Sequence, residues 1–266
     1  NFLKESRNLD FTGHRESMLE RRIMKRLSPS GSKSLEEYYD HLKTHPAELD
    51  SLIDVLTIGV SWFFRDSLTF EFLSKILDEI INKKVEQGDK WIRVWSAGCS
   101  TGEEPYSVAM IVHEILLKEQ SQFKQHIFGT DIDRKALMAA KKGSYSSDAV
   151  KNVKQSQFSA YFCSGGEEHV LDPLIKNGVS FSYYDLLDKK MISPPDSVFG
   201  DFDLILCRNV LIYYDLNYQK IIFNKLYRSL RKDGILVLGE AETPVGEFKD
   251  NFERVNTHSK IYRKYS

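Results

Sequence analysis

The sequence predicts an α/β protein: a doubly wound, mainly parallel sheet with an N-terminal helical domain and a small inserted β-subdomain. Three observations predict it. Residues 1 to about 82 carry helical periodicity. From Trp91 onward, apolar strand segments alternate with amphipathic helices. Between Ser144 and Gly178 the alternation lapses, and short strands surround a Ser-Gly-Gly turn. The expected organisation is therefore a helical domain and linker helix over 1–82 and a sheet domain over 83–266, with 144–178 as its insertion.

Taken in order, "HRESMLERRIMKRL" is the first clear helix. Leu19, Ile23 and Leu27 recur every fourth residue and form an apolar stripe. Arg15, Arg21, Arg22, Lys25 and Arg26 fall on its flank, either as a solvated face or as a docking face for an acidic partner. "SLEEYYDHLKTHPAELDSLIDVLTIG" keeps helical spacing, interrupted at Pro46. "RDSLTFEFLSKILDEIINKK" is an amphipathic helix, with Asp66 as candidate N-cap and Phe70, Leu73, Leu77 and Ile80 as its stripe.

The sheet domain opens with the strand "WIRVWSAG", followed by the helix "PYSVAMIVHEILLKEQ" with Pro105 in its first turn. "QHIFGTDID" is a strand ending in acids, and "RKALMAAKKG" a helix closed by Gly143. "GVSFSYYDLL" is a strand, and "DFDLILCRNVLIYY" a strand running into a loop. "NYQKIIFNKLYRSLRKDG" reads as a helix with basic last turns before Gly234. "ILVLGEAE" and "SKIYRKY" close the chain as strands.

Composition narrows the function classes. The 266 residues are 41% hydrophobic and 28% charged, an ordinary globular balance with a core that needs no disulfide staples. Cys99, Cys163 and Cys207 form no paired framework and read as reduced thiols of a cytoplasmic protein. No apolar run approaches the length of a membrane span, so no direct membrane insertion is expected. The net charge of −1 and the lack of a basic-aromatic stripe weigh against nucleic acid. No clustered ligand spacing demands a metal.

The loop "SAGCSTGEE" carries the first chemistry. It follows a strand, where ligands of doubly wound sheets bind, and its glycines permit close backbone approach. It is neither GxGxxG nor a Walker A loop. Glu103 would repel a phosphate, so the near end of the ligand is better cationic. S-adenosylmethionine has no phosphate, and carries a sulfonium and an ammonium. Asp131, at the end of the "HIFGTD" strand, can accept from both ribose hydroxyls. Two other assignments use the same residues: Glu103 suits a helix N-terminus, and Asp131 or Asp133 suits an N-cap.

The chain resembles the chemotaxis receptor methyltransferases of the CheR type, over nearly its whole length. The motifs that carry the resemblance are "SWFFRDSLTFEFL", "WSAGCSTGEEPYSVAM", "FGTDID", "CRNVLIYYD" and "LRKDGILVLGEAE", with "LDFTGHRESMLERRIMKRL" similar to the family's N-terminal helical domain. The resemblance implies a fold of the S-adenosylmethionine-dependent methyltransferase type. It implies methyl transfer to glutamate side chains of methyl-accepting chemotaxis receptors, giving γ-glutamyl methyl esters and S-adenosyl-L-homocysteine. It also implies that the β insertion is the receptor-contacting subdomain.

Residue by residue, the resemblance places Ala97, Gly98 and Glu103 at the methionine end and Asp131 at the ribose, with Ser61 and Arg65 also among the cofactor-binding candidates. It places Asp185 and Leu186 against the adenine, and Asn209 and Val210 beside the reactive centre. Arg65 is the candidate clamp for the acceptor carboxylate, since a guanidinium binds carboxylates in a forked geometry. Its alternative is a local pair with Asp66. Tyr213 is the second catalytic candidate, its hydroxyl orienting the nucleophile. Arg15, Arg22, Lys25 and Arg26 are the candidate receptor contacts. The family commonly has Asn at Asp185, Asn at Gly59 and Thr at Ser61; Ser61 keeps the hydroxyl. Two further functions use the same cofactor site: a methyltransferase for another acceptor, such as a small carboxylic acid, and a non-catalytic module that binds cofactor or partner.

Overall fold

The structure is a computed structural model. It describes residues 2–7, 9–57, 59, 61–119, 123–197 and 200–265. The chain divides into two compact units, residues 1–60 with 213–215 and residues 61–212 with 216–266.

The first unit holds four helices among the described residues: α1 (Phe2–Arg7), α2 (Glu16–Leu27), α3 (Leu35–Thr44) and α4 (Pro46–Leu56). Ser34 caps α3 by accepting from Glu37 N at 3.1 Å. Pro46 opens α4 at a position where its missing N–H costs nothing. Tyr38, Leu42, Leu49, Leu52 and Leu56 form the core, and the Leu19, Ile23, Leu27 stripe of α2 packs onto it. Residues 213–215 are stitched to the start of α2: Arg15 N donates to Tyr213 O at 2.9 Å and Asp215 N to Gly13 O at 3.0 Å.

The second unit is the α/β body. Its elements in chain order are α5 (Ser67–Glu86), β1 (Trp91–Ala97), α6 (Glu103–Glu119), β2 (Lys124–Asp131), α7 (Arg134–Lys142), β3 (Ser144–Tyr145), α8 (Gln155–Tyr161), β4 (Phe162–Gly165), β5 (Glu168–Leu171), α9 (Pro173–Lys176), β6 (Val179–Tyr183), β7 (Phe202–Cys207), α10 (Leu216–Ser229), β8 (Leu230–Leu238), β9 (Phe252–Arg254) and β10 (Ile261–Lys264). The main sheet runs β6-β2-β1-β7-β8-β10-β9. It is parallel except at β10, which is antiparallel to both neighbours. The order reverses between β1 and β7, so the crevice for a ligand lies past Ala97 and Cys207. Between β2 and β6 sits the expected insertion, a small antiparallel sheet in the order β3-β5-β4. Gly166, at φ +86°, makes the turn of its β4–β5 hairpin.

Three features differ from the sequence expectations. Helix α5, grouped on sequence with the N-terminal helices, buries Leu73, Leu77 and Ile81 in the core of the sheet unit. Asp66 occupies the N-cap position of α5, but its carboxylate bonds no amide of the helix and accepts from Arg208 instead. Helix α10 stops at Ser229 rather than running to Gly234. There, strand pairing outweighs helix propensity: Leu230 registers with Phe202, and Arg231 reaches Asp203 at 2.8 Å.

Candidate active site

The turn after β1 is sewn to the end of β2. Gly98 N and Cys99 N both donate to Thr130 O, at 2.8 and 2.9 Å. The Trp95 indole N–H holds the Thr130 hydroxyl at 2.9 Å. Gly98 has φ +78°, and a Cβ there would collide with Val210 Cγ2. Only glycine lets the backbone take this conformation and lie this close to the loop after β7.

Glu103 is the first residue of α6 and is 3% exposed. The Thr101 hydroxyl lies 2.7 and 2.8 Å from its two carboxylate oxygens, and Ser61 also hydrogen-bonds to it. Among the described residues no cation pairs with it. Burial pushes its carboxyl above the ordinary range, and the two hydroxyls offset part of that push. The departure from Thr at position 61 therefore keeps the hydroxyl in use.

Asp131 ends β2 and is held by backbone on both sides. Its Oδ2 accepts from Ser100 N at 2.8 Å and its Oδ1 from Asp133 N at 2.9 Å. Ile132 N adds a third backbone bond, so the carboxylate keeps accepting capacity for one further donor. The two assignments of the acids separate here: Asp133, not Asp131, caps α7, accepting from Lys135 N and Ala136 N.

Just past β6, Asp185 Oδ1 accepts from Leu187 N at 2.8 Å, which turns the chain and leaves Leu186 buried. Tyr184 OH donates to Met191 O and Lys225 Nζ to Asp188 O, both at 2.7 Å, closing that loop. After β7, Asn209 adopts a left-handed backbone at φ +60°. Glu242 secures it. The buried carboxylate accepts from Asn209 N at 2.9 Å, Gly239 N at 2.7 Å and Ile212 N at 3.2 Å. Val210 follows, half-buried against the Gly98 turn.

Arg65 is half-buried, its guanidinium 4.9 Å from the Trp62 ring centroid. Its neighbour Asp66 is engaged by Arg208 at 2.6 Å. The structure thus brings Ser61, Arg65, Ala97, Gly98, Glu103, Asp131, Asp185, Leu186, Asn209 and Val210 into one unit, at the carboxyl ends of its strands and the loops beside them. Tyr213 belongs to the other unit, where Arg22 lies over its ring at 4.9 Å.

The basic helix is not one continuous exposed face. Arg15, Arg21 and Lys25 are exposed. Arg22, expected on the docking flank, is buried, and its head donates to Leu56 O at the end of α4. Arg26 is largely covered and forms a fork on Glu48, at 3.0 and 2.5 Å, with Tyr38 OH on the same carboxylate at 2.7 Å. Both tie α2 to the helices it packs on, so neither is free for a partner.

Sequence reasoning missed Glu104, Arg208 and Glu242, which build the site without facing its crevice. Glu104 accepts from Ser96 Oγ at 2.7 Å and Arg208 Nη1 at 3.2 Å. Glu104 thus differs in role from its neighbour Glu103: it neutralises a buried arginine. The available signal was their place inside the motifs "GEEP", "CRNV" and "GEAE".

The residues fit S-adenosylmethionine. A glycine turn admits close backbone approach, a buried carboxylate with no cation paired to it among the described residues suits an ammonium, and a second carboxylate with accepting capacity left suits a ribose hydroxyl.

Comparison with known proteins agrees. Residues 59–261 match the family described as "CheR methyltransferase, SAM binding domain", and residues 1–57 match "CheR methyltransferase, all-alpha domain". The chain is 34% identical to a chemotaxis protein methyltransferase of Borreliella burgdorferi, over 88% of this chain and 83% of the relative. It is 32% identical to one of Listeria innocua, over 90% and 86%. It is 33% identical to one of Escherichia coli, over 86% and 77%.

Proposed function

The chain belongs to the CheR methyltransferase family and uses S-adenosylmethionine, and we propose that its acceptors are glutamate side chains of chemoreceptors. The products are γ-glutamyl methyl esters and S-adenosylhomocysteine. The cofactor half of this reading is supported by Glu103, a buried carboxylate with no cation paired to it among the described residues, and the acceptor half by the half-buried Arg65 guanidinium, whose fork suits a carboxylate.

When bound, S-adenosylmethionine supplies a sulfonium-activated methyl group. Glu103 balances the ammonium of the methionine moiety, and Asp131 accepts from a ribose hydroxyl. Asp185 and Leu186 flank the adenine, with the Leu186 side chain as its apolar contact. The acceptor is a carboxylate with a reference pKa of about 4.3, so it is ionised at neutral pH and needs no general base. What it needs is alignment, which Arg65 gives through two parallel N–H bonds to its oxygens. Tyr213 is assigned by resemblance to orient the nucleophile with its hydroxyl.

The exposed Arg15, at the N-cap of α2, and Arg21 and Lys25 on the helix are the proposed contacts for acidic receptor helices. The small sheet β3-β5-β4 is the proposed second receptor contact. No helix among the described residues is long and apolar enough to cross a membrane. The proposed site of action is the cytoplasm, on the cytoplasmic part of the receptor.

The test is methyl transfer from labelled S-adenosylmethionine to a purified receptor cytoplasmic fragment, with the label then challenged by mild base. Esters release the label under alkali and N-methyl groups do not. An unlabelled receptor, or a base-resistant label, overturns the reading.

A further inference from the structure

Arg65 sits in a strained turn. Its two neighbours, Phe64 at φ +53° and Asp66 at φ +61°, both have left-handed backbone. Non-glycine residues persist there only where surrounding contacts over-determine them.

Those contacts come from two sides. From α6, Ser107 Oγ accepts from Phe64 N at 3.0 Å and donates to Glu103 O at 2.6 Å. The Phe64 ring is buried, edge-on to Phe70 at 5.4 Å. From the end of β7, Arg208 reaches across. Its Nη2 donates to the Arg65 carbonyl at 2.8 Å and to Asp66 Oδ2 at 2.6 Å. Its Nη1 donates to Glu104 Oε2 at 3.2 Å, and its head lies 5.2 Å from the Phe70 ring centroid.

Arg208 is buried, and two carboxylates face its charge: the largely covered Glu104 and the partly exposed Asp66. Glu104 anchors it to α6, and Ser96 of β1 holds Glu104 from the other oxygen. The head is thus fixed between rigid elements and grips the peptide that carries Arg65.

We propose that Arg208 is a positioning residue: by holding the Arg65 carbonyl and the Asp66 carboxylate together, it sets the direction in which the Arg65 guanidinium is presented. The proposal rests on the assignment of Arg65 to the acceptor carboxylate. The partners of the Arg208 head are the Arg65 carbonyl, Asp66, Glu104 and the Phe70 ring. An arginine that only stabilised the core would affect folding and leave the aim of Arg65 unchanged.

The Arg65 head lies over Trp62, which offers a readout independent of activity. In protein labelled with 5-fluorotryptophan, the three tryptophans give three 19F resonances, and Trp62→Phe assigns one of them. Arg65→Ala defines the shift of the Trp62 resonance when the guanidinium is gone. Arg208→Lys keeps the charge but removes the two-nitrogen grip. Asp66→Asn keeps the left-handed turn, which Asn tolerates, and removes the charge that Arg208 holds. Asp66 is partly exposed, so this variant folds even if Arg208→Lys does not.

The expected result is that both variants move the Trp62 resonance in the direction of Arg65→Ala and leave that of Trp95 in place. S-adenosylhomocysteine affinity stays within about threefold of wild type, and kcat falls at least tenfold. An unmoved Trp62 resonance in Asp66→Asn overturns the proposal. So does wild-type kcat, or an affinity loss as large as the loss of turnover, since Arg208 would then build the cofactor pocket. A wild-type protein that methylates no receptor defeats the functional reading alone, because the Trp62 resonance still reports whether Arg208 aims Arg65.

Discussion

The Thr101 hydroxyl sits astride the Glu103 carboxylate, 2.7 Å from one oxygen and 2.8 Å from the other. One proton serves two acceptors, and Ser61 adds a second hydroxyl. Neither supplies charge. Ligand-free Glu103 is therefore a buried anion stabilised by dipoles alone, and its carboxyl lies above its ordinary value of 4.5 because burial outweighs those dipoles.

A trade between stability and binding follows. A raised carboxyl favours the folded state when protonated, so its cost is absent at low pH and grows as pH rises through the raised value. At pH 7, Glu103→Gln is expected to raise the melting temperature of the ligand-free protein and to weaken S-adenosylhomocysteine at least tenfold. Wild-type affinity is expected to fall on acidification, starting above pH 4.5, while the Gln variant stays flat over that range. Calorimetry of the two proteins, free and titrated with S-adenosylhomocysteine, checks both. A Gln variant that is less stable and binds normally would remove Glu103 from the site.

Asp131 tests the other end of the ligand. Its two oxygens each hold a backbone amide, Ser100 N and Asp133 N. Asparagine keeps one acceptor oxygen and turns an NH2 toward the other amide. Leaving one buried amide unsatisfied costs about 2 kcal/mol. Asp131→Asn is therefore expected to lower both stability and S-adenosylhomocysteine affinity. Glu103→Gln separates the two, because it lowers affinity alone. Urea unfolding set beside titration distinguishes these patterns.

Several parts of this architecture were legible in the sequence. Leu19, Ile23 and Leu27 announced a packed stripe by spacing alone, and the acids that open α6 and close β2 announced a cofactor without phosphate. Arg22 did not announce its burial, because a helical wheel shows a flank and not the α4 terminus that closes over it. Arg208 was equally silent. Its carboxylates lie 104 and 142 positions away, at Glu104 and Asp66, and only the folded sheet brings them together. The end of α10 was misread for a similar reason. Basic residues before a glycine favour a helix end, but the partner strand β7 claims Leu230.

Helix α2 gives a prediction about docking. Reversing Arg22 would set a buried carboxylate against the Leu56 carbonyl, at a cost of about 3 kcal/mol or more. Arg22→Glu is therefore expected to lower the melting temperature sharply and says nothing about a partner. Arg15→Glu, Arg21→Glu and Lys25→Glu change exposed groups; the last two stay within about 0.5 kcal/mol of wild-type stability, and Arg15→Glu also loses the Nε bond to Tyr214 O, at a cost of about 1 kcal/mol. Combined, they are expected to raise the receptor KM at least fivefold at low ionic strength, with a smaller effect at high salt. Unchanged receptor kinetics at low salt would remove α2 as a docking face.

His14 sets the acid limit of the helical unit. Its ring packs on Tyr214 at 4.5 Å and Phe11 at 4.9 Å. Burial pushes its pKa down from 6.5 to about 4, helped by nearby Arg22 and opposed by the Phe11 backbone and Asp10. The unfolded chain binds the proton first, so His14 contributes fully above pH 6.5, and the contribution is lost as pH falls toward about 4. Asp10 acts lower. The Lys4 hydrogen bond leads the effects that hold its carboxyl near 2, so its contribution goes only as pH falls from 3.8 toward that value. Urea unfolding at pH 7.5 and pH 5 isolates the His14 share as the difference between wild type and a variant, because the raised Glu103, Glu104 and Asp131 carboxyls act in the opposite direction in both proteins. His14→Phe keeps an aromatic ring without a titrating nitrogen and is expected to lose less stability than wild type on going to pH 5. Equal changes in the two proteins would place the acid sensitivity elsewhere.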